Sequence, residues 1–209
     1  MKKRVIIFDM DGVLFDTISY AEKAYLESYP GMTREIYKSL YSDNFHESLK
    51  KYAHLQKEEN EEERSKRHVA NSLEKRNAPM FDGIQELLEN LHNTGLLLIL
   101  NTTSHERNCL PLLEKSGIKS LFDLIATAEV SKSKVEKFKL IEEKYNVDKS
   151  DILFITDSLG DIKEANIAGI PTIAVTWGVH DESFFDREKY PNIVKIVNTV
   201  KELSDFINK

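Results

Sequence analysis

Two aspartates, Asp9 and Asp11, directly follow the first short apolar run of the chain, residues 5–8. Other polar side chains follow later apolar runs in the same way: Thr102, Thr103 and Ser104 after 96–100, Lys132 and Lys134 after 121–125, and Asp157, Ser158 and Asp161 after 151–155. Ligands of open α/β sheets bind outside the carboxyl ends of the strands. If the apolar runs are parallel strands, four strand ends direct carboxylates, hydroxyls and amines toward one crevice.

These residue types suit phosphoryl transfer with a magnesium ion. A phosphate dianion repels an incoming carboxylate, so its charge must be neutralised before attack. Mg²⁺ binds carboxylate oxygens, keeps several waters and can bridge a protein and a phosphate. Asp9 and Asp157 are the predicted carboxylate ligands, and Asp9 also serves as the nucleophile that forms an aspartyl-phosphate. Asp11 is predicted to protonate the leaving alcohol and later to accept a proton from water.

Hydroxyls and backbone N–H groups are predicted to hold the phosphate oxygens. Thr102 and Thr103 are the predicted phosphate-binding residues, through the Thr102 hydroxyl and the adjacent backbone N–H groups. A second interpretation of this segment is a helix N-cap, because Thr103 and Glu106 have the spacing of a capping box.

A lysine is predicted to neutralise the charge that develops during transfer. Lys132 and Lys134 are both candidates, since they lie two residues apart at the start of a helical pattern. We expect Lys134 to have this role.

The apolar runs predict the fold. Five of them are continuous rather than alternating, which is typical of strands covered on both faces in a parallel sheet. They span residues 5–8, 96–100, 121–125, 151–155 and 172–175. Helical patterns lie between them, the clearest with four apolar residues before Gly95, namely Ile84, Leu87, Leu88 and Leu91. This alternation predicts an α/β fold, a Rossmann-like, doubly wound parallel sheet.

Residues 17–80 interrupt the alternation. They hold no strand-like run, and residues 57–67 are nearly all charged, which is typical of a solvated helix face. We therefore expect an α-helical insertion after the first strand. The predicted core comprises residues 1–16 and 81–209, and the predicted insertion comprises residues 17–80.

Four segments resemble the motifs of the haloacid dehalogenase-like superfamily, in its phosphatase and phosphomutase branch. They are residues 9–17 for the first motif, Thr102 within 100–104 for the second, 133–135 for the lysine motif, and 156–161 with Ala165 and 168–169 for the acidic fourth motif. The resemblance covers residues 4–17 and about 80–180. In that family the insertion after the first motif is a helical cap that closes over the substrate, and residues 17–80 fit this description.

The resemblance implies a role for each acidic residue. Asp9 is then the nucleophile and a metal ligand, and Asp157 is another ligand. Asp11 is the acid and base and lends its backbone carbonyl to the metal. Asp161 supports the waters of the metal or orients Lys134. The implied cofactor is Mg²⁺.

The chain departs from the family pattern at three positions. Thr156 stands where the family usually has glycine, which bears on the turn before Asp157. Lys134 lacks the proline that usually follows and lies only two residues from Lys132, but its spacing from Asp157 suits the motif better than that of Lys132. Ala21 stands where sugar phosphomutases of this type carry a histidine, which weakens the mutase interpretation.

Several functions compete with a phosphatase. A sugar phosphomutase uses the same aspartyl-phosphate, and a regulatory relative would keep the fold with weak catalysis. A dehalogenase is disfavoured, because Asp11 is unnecessary for its chemistry. A phospho-receiver module also assembles acidic residues, a threonine and a lysine, but it has no helical insertion after its first strand.

Composition sets limits on the class of protein. The chain has 209 residues, of which 41% are apolar, enough for a sizeable core. Its net charge of −6 argues against a nucleic-acid partner. A lone cysteine, Cys109, leaves no intrachain disulfide, and no apolar run has the length of a membrane span. We expect a cytoplasmic enzyme that acts on a small phosphorylated metabolite, whose identity the sequence does not specify, as it does not specify the oligomeric state.

Overall fold

Six parallel strands form one sheet in the order β3-β2-β1-β4-β5-β6. The computed structural model describes residues 4–208, apart from the side chains of His46 and His68. The strands are β1 (Val5–Phe8), β2 (Leu97–Asn101), β3 (Leu124–Ala126), β4 (Ile152–Thr156), β5 (Thr172–Val175) and β6 (Ile193–Val197). The winding reverses at β1, which lies between β2 and β4. Ligands bind at such a switch point in doubly wound sheets.

The helices in the described part of the chain are α1 (Thr17–Ser28), α2 (Arg34–Ser39), α3 (Phe45–Lys50), α4 (Glu61–Lys75), α5 (Ile84–Asn93), α6 (Glu106–Lys115), α7 (Lys134–Tyr145), α8 (Leu159–Ala168) and α9 (Val200–Ile207). Short 3₁₀ turns occupy residues 40–42, 53–55, 119–121, 149–151 and 182–184. Within residues 4–208, no helix is long and apolar enough to cross a membrane.

The sheet is buried on both faces, as continuous apolar strands require. All four residues of β1 have no exposed surface. Ile6 and Phe8 face a cluster that includes α5, while Val5 and Ile7 face a second cluster that includes α7 and α8. The predicted doubly wound α/β class is therefore confirmed.

Two strands differ from the prediction. β6 was not predicted, because its centre carries Lys195 and it lies at the edge of the sheet, where only part of a strand is buried. The third strand was expected over 121–125 but begins at Leu124, because residues 119–121 form a 3₁₀ turn. The other predicted strands agree with the structure to within one residue.

Residues 17–75 form helices α1–α4 and two 3₁₀ turns. An aromatic cluster around Tyr37 and Leu40 holds them together. The segments that connect these helices to the sheet run side by side. The Asp16 N–H donates to the Pro79 carbonyl at 2.9 Å, and Phe15 forms an antiparallel β-bridge with Met80. These pairings lie at the predicted boundaries, and the division of the chain into core and cap stays a prediction.

Candidate active site

A cavity of about 210 Å³ lies at the carboxyl ends of β1, β2 and β4. Of the predicted site residues, six line it: Asp9, Asp11, Thr103, Lys134, Asp157 and Asp161. Thr102 is fully buried beneath the cavity wall, and its hydroxyl accepts a hydrogen bond from the Ser104 N–H at 3.0 Å. The structure thus brings the predicted residues together, with Thr102 set back from the cavity.

The loop after β2 is not held by the predicted capping box. Helix α6 begins at Glu106, and its N-cap residue is His105, so the capping interpretation of Thr103 is wrong. The Glu106 N–H donates instead to the carboxylate of Glu129 at 3.1 Å. Thr103 and Ser104, which precede the helix, line the cavity.

Lys134 links three strand ends through one buried ammonium. As the first residue of α7, it follows Ser133, whose side chain caps the helix. Its Nζ lies 2.7 Å from Asp9 Oδ1 and 2.7 Å from Asp161 Oδ2, and it donates to the Asn101 carbonyl at 2.9 Å. Burial alone would lower the pKa of Lys134, but the two carboxylates raise it above its usual value. The rival candidate Lys132 is exposed.

Asp9 and Asp157 form a buried carboxylate pair. Burial raises the pKa of Asp9 to about 7, although Lys134 opposes the shift. Burial, followed by the charge of Asp9, raises the pKa of Asp157 well above its usual value. The Val179 N–H donates to Asp157 Oδ2 at 2.7 Å and fixes that oxygen. The positive charge near these two carboxyl groups is therefore too small to offset the cost of burying their ionised forms.

Two glycines leave room for Asp157. A Cβ atom on Gly12 would lie 2.0 Å from Asp157 Oδ2, and one on Gly178 would lie 2.1 Å from the same oxygen. Gly12 also has a positive φ of 76°, which favours glycine. Any larger residue at either position would displace this carboxylate.

The donor set fits a magnesium ion. Two carboxylates with raised pKa values and hard oxygen atoms face one cavity, and a divalent cation between them would remove their repulsion. Among residues 4–208 with described side chains, no group of three or more His, Cys, Asp or Glu side chains could hold a metal ion. Mg²⁺ commonly takes one or two carboxylates and completes its shell with waters and phosphate oxygens.

Thr156, which replaces the usual glycine, is accommodated without strain. It is the last residue of β4 and is fully buried. Its hydroxyl donates to Asp161 Oδ2 at 2.7 Å and accepts a hydrogen bond from the Ser158 N–H at 3.3 Å. The substitution therefore adds a partner that orients Asp161 beside Lys134.

Asp11 is held by donors from three parts of the chain. Its Oδ1 accepts from the Thr17 hydroxyl at 2.5 Å and lies 2.6 Å from Lys75 Nζ, and its Oδ2 accepts from the Ser104 hydroxyl at 2.7 Å. Burial would raise the pKa of Asp11, but Lys75, followed by Ser104 and Thr17, brings it below its usual value. In this arrangement Asp11 is ionised and can accept a proton. To donate one, it must first be protonated and lose its pairing with Lys75.

Lys75 was not predicted from the sequence. Lys75 is the last residue of α4, so the helical segment supplies a cation to Asp11, which lies in the loop after β1. The aromatic wall of the cavity, formed by Tyr25, Tyr41 and Phe45, comes from the same segment. The one available signal for Lys75 was its place close to the return of the chain to the sheet.

Comparison with known proteins gives one family. A model of haloacid dehalogenase-like hydrolases matches residues 6–175. The chain is 27% identical to N-acetylmuramic acid 6-phosphate phosphatase of Pseudomonas aeruginosa, over 100% of this chain and 96% of that protein. It is also 27% identical to a phosphorylated carbohydrates phosphatase of Thermotoga maritima, over 95% of this chain and 98% of that protein.

Solved structures share the fold. A haloacid dehalogenase-like hydrolase from Bacteroides fragilis superposes with a TM-score of 0.78 at 22% identity, covering 97% of this chain and all of that one. At this identity the likeness concerns the fold alone.

The charge of Lys75 is expected to set the ionisation of Asp11. In Lys75→Met the pKa of the Asp11 carboxyl rises, because burial is then no longer opposed by an ammonium group. Carboxyl carbon chemical shifts, followed by NMR through a pH titration, measure it. Lys75→Arg keeps the charge and is the control. An Asp11 pKa that stays the same in Lys75→Met would contradict this electrostatic description.

Proposed function

The chain belongs to the haloacid dehalogenase-like hydrolases and is a phosphatase, and we propose that it hydrolyses a small phosphomonoester in a magnesium-dependent reaction through an aspartyl-phosphate on Asp9. The observation that carries this proposal is the position of Asp9 at the end of β1. There its Oδ1 is held by Lys134 and its charge faces Asp157. A carboxylate held from one side can present its other oxygen to a phosphorus atom.

The proposed first step transfers the phosphoryl group to the protein. A carboxylate oxygen of Asp9 attacks phosphorus, the bond from phosphorus to the leaving oxygen breaks, and Asp11 gives that oxygen a proton. Lys134 offsets charge on Asp9, and the proposal assigns the phosphate oxygens to the loop of Thr102 and Thr103, of which Thr103 lines the cavity. Asp9, Asp157 and the backbone carbonyl of Asp11 would hold Mg²⁺, which when bound supplies positive charge against the phosphate oxygens.

The proposed second step releases inorganic phosphate. Water attacks phosphorus, its proton passes to Asp11, and the carboxylate of Asp9 is restored. The ionised Asp11 of this structure is the form that this step needs. The first step needs Asp11 protonated, so its pairing with Lys75 must be absent during that step and form between the first step and the second. Because Lys75 belongs to α4, we propose that residues 17–80 act as a cap whose movement accompanies catalysis.

The proposed partner is a small phosphorylated metabolite, and a phosphomutase is the nearest alternative. Release of free phosphate as the main product favours the phosphatase. The proposal includes a cytoplasmic location and no nucleic-acid or membrane partner. Against a nucleic-acid partner, the chain has a net charge of −6, and carboxylates dominate the cavity.

The cavity wall also favours a neutral leaving group. Carboxylates from six residues line it, while its two lysines, Lys75 and Lys134, are already opposite carboxylates. The carboxylates belong to Asp9, Asp11, Asp43, Asp157, Asp161 and Glu164. A leaving group with its own carboxylate would meet these acidic side chains with no unpaired lysine among the described residues of the cavity wall to bind it. Hydroxyls can pair with Asn44 and Asn108, and carbon atoms can pack on Tyr25 and Phe45.

Replacement of the nucleophile tests the proposal. Asp9→Asn is expected to lower magnesium-dependent phosphate release about 1,000-fold or more, because an amide is a poor nucleophile. The free energy of unfolding without metal should stay the same or rise. Asp9 has a folded pKa of about 7, above its usual 3.8, so its ionised form costs stability at neutral pH and above. Asp82→Asn, at an exposed site, is the matched control. Wild-type turnover in Asp9→Asn would refute the proposal.

The preference for a neutral leaving group is tested with two substrates that differ in one group. Hydroxyethyl phosphate should have a kcat/KM at least about tenfold higher than that of phosphoglycolate, whose carboxylate replaces the hydroxymethyl group. Ala21 lines the cavity. Ala21→Lys should narrow the difference by adding a cation, whereas Ala21→Met adds similar length without charge. Equal values for both substrates in the wild type would rule out the charge argument.

A further inference from the structure

His180 lies in the loop after β5, is 1% exposed, and has no role in the proposed reaction. Its Nδ1 accepts a hydrogen bond from the Leu159 N–H at 3.0 Å, so the proton of the neutral ring is on Nε2. That Nε2–H donates to the Lys38 carbonyl at 3.2 Å. Leu159 begins α8, whereas Lys38 belongs to α2. One buried ring therefore joins the sheet domain to the helical segment.

The same loop holds the carboxylate of Asp157. The Val179 N–H donates to Asp157 Oδ2 at 2.7 Å, and the His180 N–H donates to the Asp157 carbonyl at 3.3 Å. Consecutive residues thus contact Asp157 and the helical segment. A shift of the helical segment would displace His180, which is adjacent to Val179, the residue that fixes the Asp157 carboxylate.

Gly160 makes the second contact between α8 and the helical segment. A Cβ at this position would lie 2.5 Å from the Asp43 carbonyl oxygen and 2.9 Å from that of Tyr41. Its φ is not positive, so the glycine is required by the close approach and not by its own backbone. Tyr41 and Asp43 both line the cavity. An exposed ion pair of Lys163 with Asp43 lies one turn further along α8 and contributes little.

We propose that His180 and Gly160 are positioning residues, which dock the helical segment on α8 and tie that docking to the placement of Asp157. The proposal rests on the proposed function, in which Asp157 holds the metal. When the segment is docked, both ring nitrogens of His180 are paired. When the helical segment moves away, the Nε2–H of His180 loses its acceptor. Docking of the segment therefore stabilises the conformation of the loop that fixes Asp157.

The chemistry of the ring supports this role. Only a neutral imidazole can accept from Leu159 and donate to Lys38 at the same time. Burial lowers the pKa of His180 to about 4, so the ring stays neutral near pH 7. Phe184 stacks on the ring with centroids 4.2 Å apart, which keeps its plane fixed.

Two variants break the docking from different sides. His180→Phe keeps a ring against Phe184 but removes both hydrogen bonds. Gly160→Ala leaves His180 and the bonds to Asp157 in place and inserts a methyl group where the carbonyls approach. Alanine is the better helix former by about 1 kcal/mol, so α8 itself is not weakened. Ile167→Ala is the control, since Ile167 is on the same helix and 75% exposed.

The readouts do not need catalysis. Amide hydrogen exchange of residues 38–45, measured without metal or substrate, should accelerate about tenfold or more in both variants. The affinity for Mg²⁺, measured by calorimetry, should fall in both. Ile167→Ala should change neither. Because hydrogen exchange is measured without metal or turnover, it tests docking even if the proposed reaction is wrong.

Three results would overturn the proposal. Exchange in 38–45 at the wild-type rate in both variants would show that these residues do not dock the segment. Faster exchange with unchanged affinity for Mg²⁺ would show that docking is not tied to Asp157. Faster exchange throughout the chain, with a matching loss in urea unfolding, would show a general structural role.

Discussion

The buried ammonium of Lys134 lies between the carboxylates of Asp9 and Asp161, which follow two neighbouring strands. A buried charge is tolerated only when it is paired, and leaving the Lys134 ammonium with no carboxylate partner would cost about 3–5 kcal/mol. Helix α7 must therefore begin at the carboxyl edge of the sheet, and Asp161 must face β1 from the first turn of α8. The Thr156 hydroxyl completes this arrangement by donating to Asp161. The order of the strands and the capping of both helices serve this pairing.

One lysine does not balance all the carboxylates of the site. Asp157 stays buried beside Asp9 with a raised pKa, and two glycines are needed to accommodate it. This surplus of carboxylates is the physical basis for the proposed Mg²⁺, and the pairing of both cavity lysines with carboxylates is the basis for the preference for a neutral leaving group. Asp11 is the exception, because the helical segment supplies Lys75 to it. The chemistry of Asp11 and the position of that segment are thereby linked.

The sequence predicted what depends on local pattern. The inner strands are continuous apolar runs, and the carboxylates after them had to lie at one edge, so the sheet and the cavity with Asp9 and Asp157 could be predicted. Edge strand β6 could not, because it carries Lys195 at its centre. Lys75 and His180 were also missed. Each matters only through a partner distant in sequence, and no spacing rule connects such pairs.

The central claim is that Asp9 receives the phosphoryl group before water does. Its most direct test is the stereochemistry at phosphorus, using a phosphorothioate ester made chiral with oxygen isotopes and hydrolysed in labelled water. Two successive in-line displacements, first by Asp9 and then by water, each invert the configuration. The proposal therefore predicts inorganic thiophosphate with net retention. Net inversion would show a single displacement by water and would contradict an aspartyl-phosphate on Asp9.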